Sequence, residues 1–187
     1  MSLNFSSIKV RLYLSAALTA ISLLSLSGYA TLKSNTMADA GAHIFDVASE
    51  GIAKTGDFVE KYEQTRGLIA RAPSELDLDK AKQMQAAVKA GFSELEKMLA
   101  DRRTHIPQDG IVILDGIAEQ IKAMHAVSDK VFEFVSAFAQ EQANGVIAGD
   151  FAKAEQQVGA KIHALQDYDT AEAKSAADSL SATRTQI

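Results

Sequence analysis

The chain has 187 residues, of which 47% are hydrophobic, 23% are charged and only 6% are aromatic. Its 32 alanines and two prolines favour long helices and argue against β-sandwiches and β-barrels. The absence of cysteine excludes disulfides, thiol nucleophiles, cysteine-ligated metal clusters and covalently attached c-type haem, and the net charge of −5 argues against a nucleic-acid partner.

The N-terminal segment has the charge pattern of a membrane span. Lys9 and Arg11 precede a run of 21 residues, 12–32, that contains no charge. As a helix this run would measure about 31 Å, which is enough to cross the hydrocarbon core of a bilayer. Because the basic residues come first and the first acid is Asp39, we expect the N-terminus in the cytoplasm and residues 33–187 in the periplasm or outside the cell.

The same segment also fits a cleaved signal peptide, because a basic start and an apolar stretch lead to a Gly-Tyr-Ala ending at residues 28–30. We favour an uncleaved anchor in the inner (cytoplasmic) membrane, since helical patterning continues without a break as far as Pro73. Under both interpretations residues 1–32 form one predicted part of the chain, and residues 33–187 form an extracytoplasmic domain.

Three interruptions divide the extracytoplasmic region into four predicted helices. Pro73 and Pro107 stand in the first two interruptions, and Gly145 and Gly149 stand in the third. Proline ends a helix, and a nearby Asp or Ser can cap the next one. The predicted helices are residues 33–72, 78–103, 109–146 and 150–187.

Apolar residues recur in these segments at alternating steps of three and four residues. The pattern is clearest in the third segment, where seven of nine positions are apolar. These nine positions are Leu114, Ile117, Ile121, Met124, Ser128, Val131, Val135, Phe138 and Gln142. Sustained spacing of this kind with short connections predicts an all-α fold, an antiparallel up-down-up-down four-helix bundle preceded by an N-terminal transmembrane helix.

This layout resembles the N-terminal sensory region of bacterial methyl-accepting chemotaxis proteins of the four-helix-bundle type. The resemblance covers the whole chain, from the basic start through the span 12–32 to the helical region 33–187. It implies a chemoreceptor sensor domain that binds a small molecule between helices, forms a homodimer and signals by displacement of its last helix. In such receptors a second membrane span and a cytoplasmic signalling module follow, so we expect both downstream of residue 187.

Arg66 is the residue that we single out for ligand binding. Phe45, Ile52 and Val59 form a second apolar stripe on the first helix at seven-residue spacing, and Arg66 occupies its next position. An arginine on an apolar stripe needs a partner or an anion, and its guanidinium suits a carboxylate.

We therefore expect Arg66, together with Arg71 and Tyr62, to contact a small anionic ligand. Two structural interpretations of Arg66 stay open. One is an exposed side chain, and the other is an ion pair with Glu63 or with an acid of the next connection.

Other patterns point away from metal and enzyme chemistry. None of the four histidines follows a glutamate by three residues, as a di-metal bundle requires, so we expect no metal and no cofactor. No phosphate loop or catalytic grouping is present in the sequence, so we expect no enzyme. Asp169 falls where the fourth helix needs an apolar residue, and we expect either a local widening of the core or Tyr168 in its place.

Two other functions stay open. The region could be an exported helical bundle that acts as a protein-interaction or spacer domain without a small ligand. It could also be a bundle protein that carries haem without covalent attachment.

Overall fold

The computed structural model describes residues 49–184 of the chain. The predicted membrane span and the predicted boundary after residue 32 therefore lie outside the described residues. Among residues 49–184, no helix combines the length and the apolar character that crossing a membrane requires. The packing described below belongs to the compact unit Val47–Ser175, and the other described residues are the end of the last helix.

Four long helices account for most of the described chain. They are α1 (residues 49–71), α2 (Leu78–Arg103), α3 (Gln108–Ser136) and α5 (Ala152–Arg184). A short helix, α4 (Gln140–Val146), and a π-helical turn (Ile147–Phe151) lead into α5 without a break. No strand occurs between residues 49 and 184, and the all-α prediction is confirmed for this range.

Polar contacts between the helices fix their directions. Each pair of neighbouring helices has two such contacts. The contact that lies later along one helix lies earlier along the other, so each pair is antiparallel. These contacts are Lys54–Asp101 and Lys61–Glu94 (α1–α2), Lys89–Asp129 and Arg103–Asp115 (α2–α3), Asp109–Tyr168 (α3–α5) and Lys130–Asp150 (α3 and the π-helical turn that leads into α5), and Thr55–Asp169 and Arg66–Glu155 (α1–α5). The predicted up-down-up-down bundle is thus present, with α1 and α3 on one diagonal and α2 and α5 on the other.

The first two interruptions lie where the prolines predict them. Pro73 sits in a 3-10 turn, Ala72–Ser74, that follows α1. Asp77 caps α2, because its Oδ1 accepts hydrogen bonds from the backbone N–H groups of Asp79 at 2.9 Å and Lys80 at 3.2 Å. Pro107 directly precedes α3.

The third interruption was predicted at the wrong place. The chain bends at residues 137–139 instead of at Gly145–Gly149, where a single π-helical turn keeps the helix continuous. In the register set by the α2–α3 contacts, residue 140 lies beside Leu78, the first residue of α2. A straight α3 extended to residue 146 would therefore run past the first residue of α2. The apolar side chains of that extension would have no contact with α2.

The end of α3 is a Schellman turn built without glycine. The backbone N–H of Phe138 donates to Val135 O at 3.1 Å, and that of Ala139 donates to Phe134 O at 2.9 Å. Phe138 adopts the left-handed conformation with φ 55°, which glycine usually supplies. This choice of residue explains why the sequence gives no turn signal there.

The predicted core positions are confirmed over most of the bundle. On α3 the residues from Leu114 to Val135 at the predicted spacing are all buried, whereas Phe138 is 63% exposed and Gln142 is also exposed. These last two assignments were wrong because α3 ends before them. Along the rest of the bundle, buried residues also recur at steps of three, four or seven residues and include Phe58, Tyr62, Ile69, Val88, Phe92, Leu95, Leu99, Phe151, Val158, Ile162 and Leu165.

Helices α1 and α2 approach closely where Gly91 faces Thr65. A Cβ at Gly91 would meet the Thr65 hydroxyl and would lie 3.3 Å from its Cβ, so no rotation of Thr65 removes the overlap. We expect Gly91→Ala to lower the free energy of unfolding by about 1–2 kcal/mol, because overpacking exceeds the gain in helix propensity. Urea unfolding followed by circular dichroism measures the change.

Gly56→Ala is the matched control on α1. A Cβ at Gly56 would meet no described atom within 4 Å. The same exchange should therefore raise the free energy of unfolding by up to about 1 kcal/mol. Equal effects of the two substitutions would contradict close packing at Gly91.

Candidate functional site

Tyr62 and Arg66 lie one helical turn apart on α1, toward the end at which the chain turns into α2. Tyr62 is 3% exposed, and its hydroxyl has no hydrogen-bond partner among the described residues. Burial raises the pKa of Tyr62, and the nearby charges of Glu155 and Glu63 raise it further. The tyrosine therefore stays neutral and offers a buried hydroxyl group.

Arg66 is paired with two acids on two helices. Its guanidinium contacts Glu63 of its own helix at 2.8 Å and also Glu155 of α5. Burial alone would lower the pKa of Arg66, but the hydrogen bond to Glu63 and the charge of Glu155 outweigh it and raise the pKa. The pair with Glu63 is one that the sequence suggested, whereas Glu155 is an addition that only the fold supplies.

Arg71 lies on another face of α1. Five residues separate it from Arg66, which corresponds to a rotation of about 140° around the helix. Its Nε donates to Gly67 O at 2.9 Å, and it lines a cavity of about 370 Å³ with Leu68, Ser74, Glu75 and Met84. The structure thus brings Tyr62 and Arg66 together but directs Arg71 toward α2.

A buried polar cluster lies farther back along α1, and sequence reasoning missed it. Asp169 of α5 is 2% exposed and accepts hydrogen bonds from Thr55 Oγ1 of α1 at 2.5 Å and from Arg102 Nη2 of α2 at 2.6 Å. We call Thr55, Arg102 and Asp169 the buried polar cluster. Of the two alternatives expected at this position, Tyr168 in place of Asp169 was wrong, because Asp169 itself is buried and Arg102 supplies the opposite charge across the bundle diagonal.

Arg102 fits into room beside Gly51, but one of its donors has no acceptor among the described residues. Gly51 has no side chain, and a Cβ there would lie 2.6 Å from Arg102 Nη2, so the guanidinium occupies the room that this glycine leaves. Arg102 Nε is buried and has no hydrogen-bond partner among the described residues. The sequence signal that could have found the cluster is the acid at a core position of α5 together with an arginine in the last turn of α2.

A cavity of about 350 Å³ opens between α1 and α2 beside the buried polar cluster, and Thr55 and Arg102 line it. Its remaining walls are apolar inside and charged at the rim. The apolar lining residues are Phe58, Met98, Leu99, Leu114 and Leu165, and the charged ones are Lys54, Asp57, Glu94, Lys97 and Asp101.

Part of the rim is held by ion pairs. Lys54 Nζ lies 3.0 Å from Asp101 Oδ2 and 3.1 Å from Glu50 Oε1. The hydrogen bond to Asp101 raises the pKa of Lys54, and the same bond lowers the pKa of Asp101. Both groups therefore stay charged over the physiological range.

Within residues 49–184, no group of three or more His, Cys, Asp or Glu side chains is arranged to hold a metal ion. His125 stacks on Phe92 with ring centroids 4.6 Å apart. That histidine packs in the bundle and belongs to neither candidate site.

Comparison with known protein families gives a match over most of the chain. A family model described as a four helix bundle sensory module for signal transduction matches residues 4–183. No curated protein and no solved structure matches the chain.

Proposed function

Because the chain belongs to the family of four-helix-bundle sensory modules for signal transduction, we propose that it is the extracytoplasmic ligand-sensing domain of a transmembrane chemoreceptor. The observation that carries the proposal is the family match over residues 4–183, which covers both the predicted anchor and the bundle. The domain binds a small molecule and relays the binding to a cytoplasmic signalling module. Its role is binding and relay, without catalysis.

The proposed location follows from the N-terminal charge pattern and from the family. Residues 12–32 anchor the chain in the inner membrane, and residues 33–187 lie in the periplasm or outside the cell. Modules of this family are usually extracellular sensors of membrane receptors, which supports this arrangement. The exposed Ile52, at 48%, supports homodimer formation through the second apolar stripe of α1.

The proposed ligand is a small anion that binds at Tyr62 and Arg66, and the proposed site leaves out Arg71, which lies on another face of α1. Arg66 is about one-third exposed, so an anion can reach its guanidinium. The hydroxyl of Tyr62, which has no hydrogen-bond partner among residues 49–184, supplies a hydrogen bond to the ligand. An anion with a bidentate group can replace Glu155 on Arg66.

Replacement of Glu155 gives the binding event a structural consequence. The Arg66–Glu155 pair connects α1 to α5. A ligand that takes over Arg66 removes this connection and favours a different position of α5 relative to α1. Since a ligand shifts an equilibrium only through its different affinity for the two states, this exchange of partners is what allows the domain to signal.

A chimeric receptor tests the proposal. Residues 1–187 are fused to the cytoplasmic half of a methyl-accepting chemotaxis protein, and kinase output is recorded against a panel of small carboxylates and phosphate. We expect at least one anion to change the output. Arg66→Ala should raise the concentration needed for half the response by about tenfold or more, because a charge-assisted hydrogen bond is lost.

Arg103→Ala is the matched control, since Arg103 is also an ion-paired arginine but lies on α2, paired with Asp115. This variant should respond as the parent does. A receptor that ignores every anion, or an Arg66→Ala receptor with an unchanged response, would contradict the proposed site.

A further inference from the structure

We propose that the cavity between α1 and α2 binds a small monocarboxylate with an apolar body, an arylalkanoate for example, and that Arg102 holds the carboxylate. Arg66 is eleven residues from Thr55, about 16 Å along α1, and does not line this cavity. The site is therefore separate from Tyr62 and Arg66 and does not depend on the function proposed for them.

The interior of the cavity fits an apolar body. Its volume of about 350 Å³ falls at the lower end of the range that small-molecule sites occupy. Phe58, Leu99, Leu114 and Leu165 are core residues, so a molecule that enters between α1 and α2 contacts the inside of the bundle. A phenyl ring or a branched chain gains free energy there by leaving water.

The polar lining fits a carboxylate. Arg102 lines the cavity, and its side chain is 12% exposed. The side chain of Lys54, another cation of the same lining, is 29% exposed. It gives one Nη2 hydrogen bond to Asp169, while its buried Nε has no acceptor among the described residues. A buried donor without an acceptor costs free energy, and a ligand carboxylate can remove that cost.

The charges at the rim favour an acid over an amine. Two of the three acids there are already paired, Asp101 with Lys54 and Glu94 with Lys61. Lys97 makes no ion pair with a described residue and adds a second cation near Arg102. A carboxylate therefore finds two cations with donors to spare, whereas an amine finds only Asp57 among the unpaired acids.

Calorimetric titration of the full chain in detergent micelles tests the inference with three matched probes. These are 3-phenylpropanoate, its neutral amide and 3-phenylpropylamine. We expect saturable binding of the carboxylate, and affinity for the amide and the amine lower by about tenfold or more, the fold-change that a charge-assisted hydrogen bond supplies.

Two variants locate the site. Arg102→Gln should weaken binding of 3-phenylpropanoate by about tenfold or more, while Arg103→Gln, the neighbouring exposed arginine, should leave it unchanged. Because Arg102→Gln also disturbs Asp169, Met98→Trp provides an independent check, since it occupies the cavity while the residues of the buried polar cluster stay unchanged in the sequence. Met84→Trp, at the cavity that Arg71 lines, is its control.

The outcomes are decisive in both directions. Preference for the carboxylate, abolished by Met98→Trp and kept by Met84→Trp, supports the site. Equal binding of the three probes, no saturable binding at about 5 mM, or binding that survives Met98→Trp in a folded protein overturns it. Circular dichroism of each variant establishes that it is folded before titration.

Discussion

Replacing Asp169 with alanine is expected to lower the free energy of unfolding by about 3 kcal/mol or more. The change leaves the guanidinium of Arg102, which is only 12% exposed, without its counter-ion and leaves Thr55 without its acceptor. Removing one partner of a buried ion pair is strongly destabilising because the other charge stays buried. Urea unfolding followed by circular dichroism measures the loss.

Asp167→Ala supplies the comparison, because Asp167 lies two residues earlier on α5 and is exposed. Its effect should stay within about 0.5 kcal/mol. The double variant with Asp169→Leu and Arg102→Met should recover most of the stability, since well-packed apolar residues often replace a buried pair without loss. An Asp169→Ala protein as stable as the Asp167→Ala protein would show that the buried polar cluster contributes little.

The second large effect is expected at Phe92. This residue is 1% exposed on α2 and stacks on His125 of α3, with an angle of 23° between the rings. Phe92→Ala should lower the free energy of unfolding by about 3–5 kcal/mol, because apolar burial is lost and a cavity remains. Thermal or urea unfolding provides the measurement.

Phe138→Ala is the control for Phe92→Ala, because the same side chain is removed from a position that is 63% exposed. Its effect should be below about 1 kcal/mol. A comparable loss at the two positions would contradict the core assignment of α2 and α3.

Periodicity alone was enough to predict which residues of α1, α2 and most of α3 are buried. Thr55, Phe58, Tyr62 and Thr65 follow each other on α1 at steps of three and four residues, and all are buried. The reason is physical, since a helix has one face that meets its neighbours and the 3-4 spacing marks that face. The polar members of this face could be placed in the same way, but their partners could not.

The turn after α3 shows the limit of local signals. Gly145 and Gly149 were predicted to interrupt the chain between the last two long helices, yet both lie within continuous helix. The residue in the left-handed conformation is Phe138. Glycine permits a turn without requiring one, and phenylalanine accepts a strained φ where the packing around it demands the bend. The length of α2, not the residues at 137–139, determines where α3 must stop.

The same distinction applies to the candidate sites. The sequence identified Arg66 as a cation that needs a partner, and it could offer Glu63 because that residue lies one turn away. Glu155 is 89 residues distant along the chain and becomes a partner only when α5 packs against α1. Likewise, Asp169 stands at a core position of α5, but its partner Arg102 is 67 residues away, and no local signal identifies that partner.

The order of apolar and polar residues by itself determined the helical class and the face that each helix buries. It also determined the described ends of three of the four long helices to within a few residues. These features depend on neighbours one or two turns away. Only the tertiary structure decided the bend at Phe138, the pairing of Arg66 with Glu155, the buried polar cluster and the cavity beside it. Those features depend on the register between helices that are far apart in the chain, and side-chain spacing within one helix carries no information about that register.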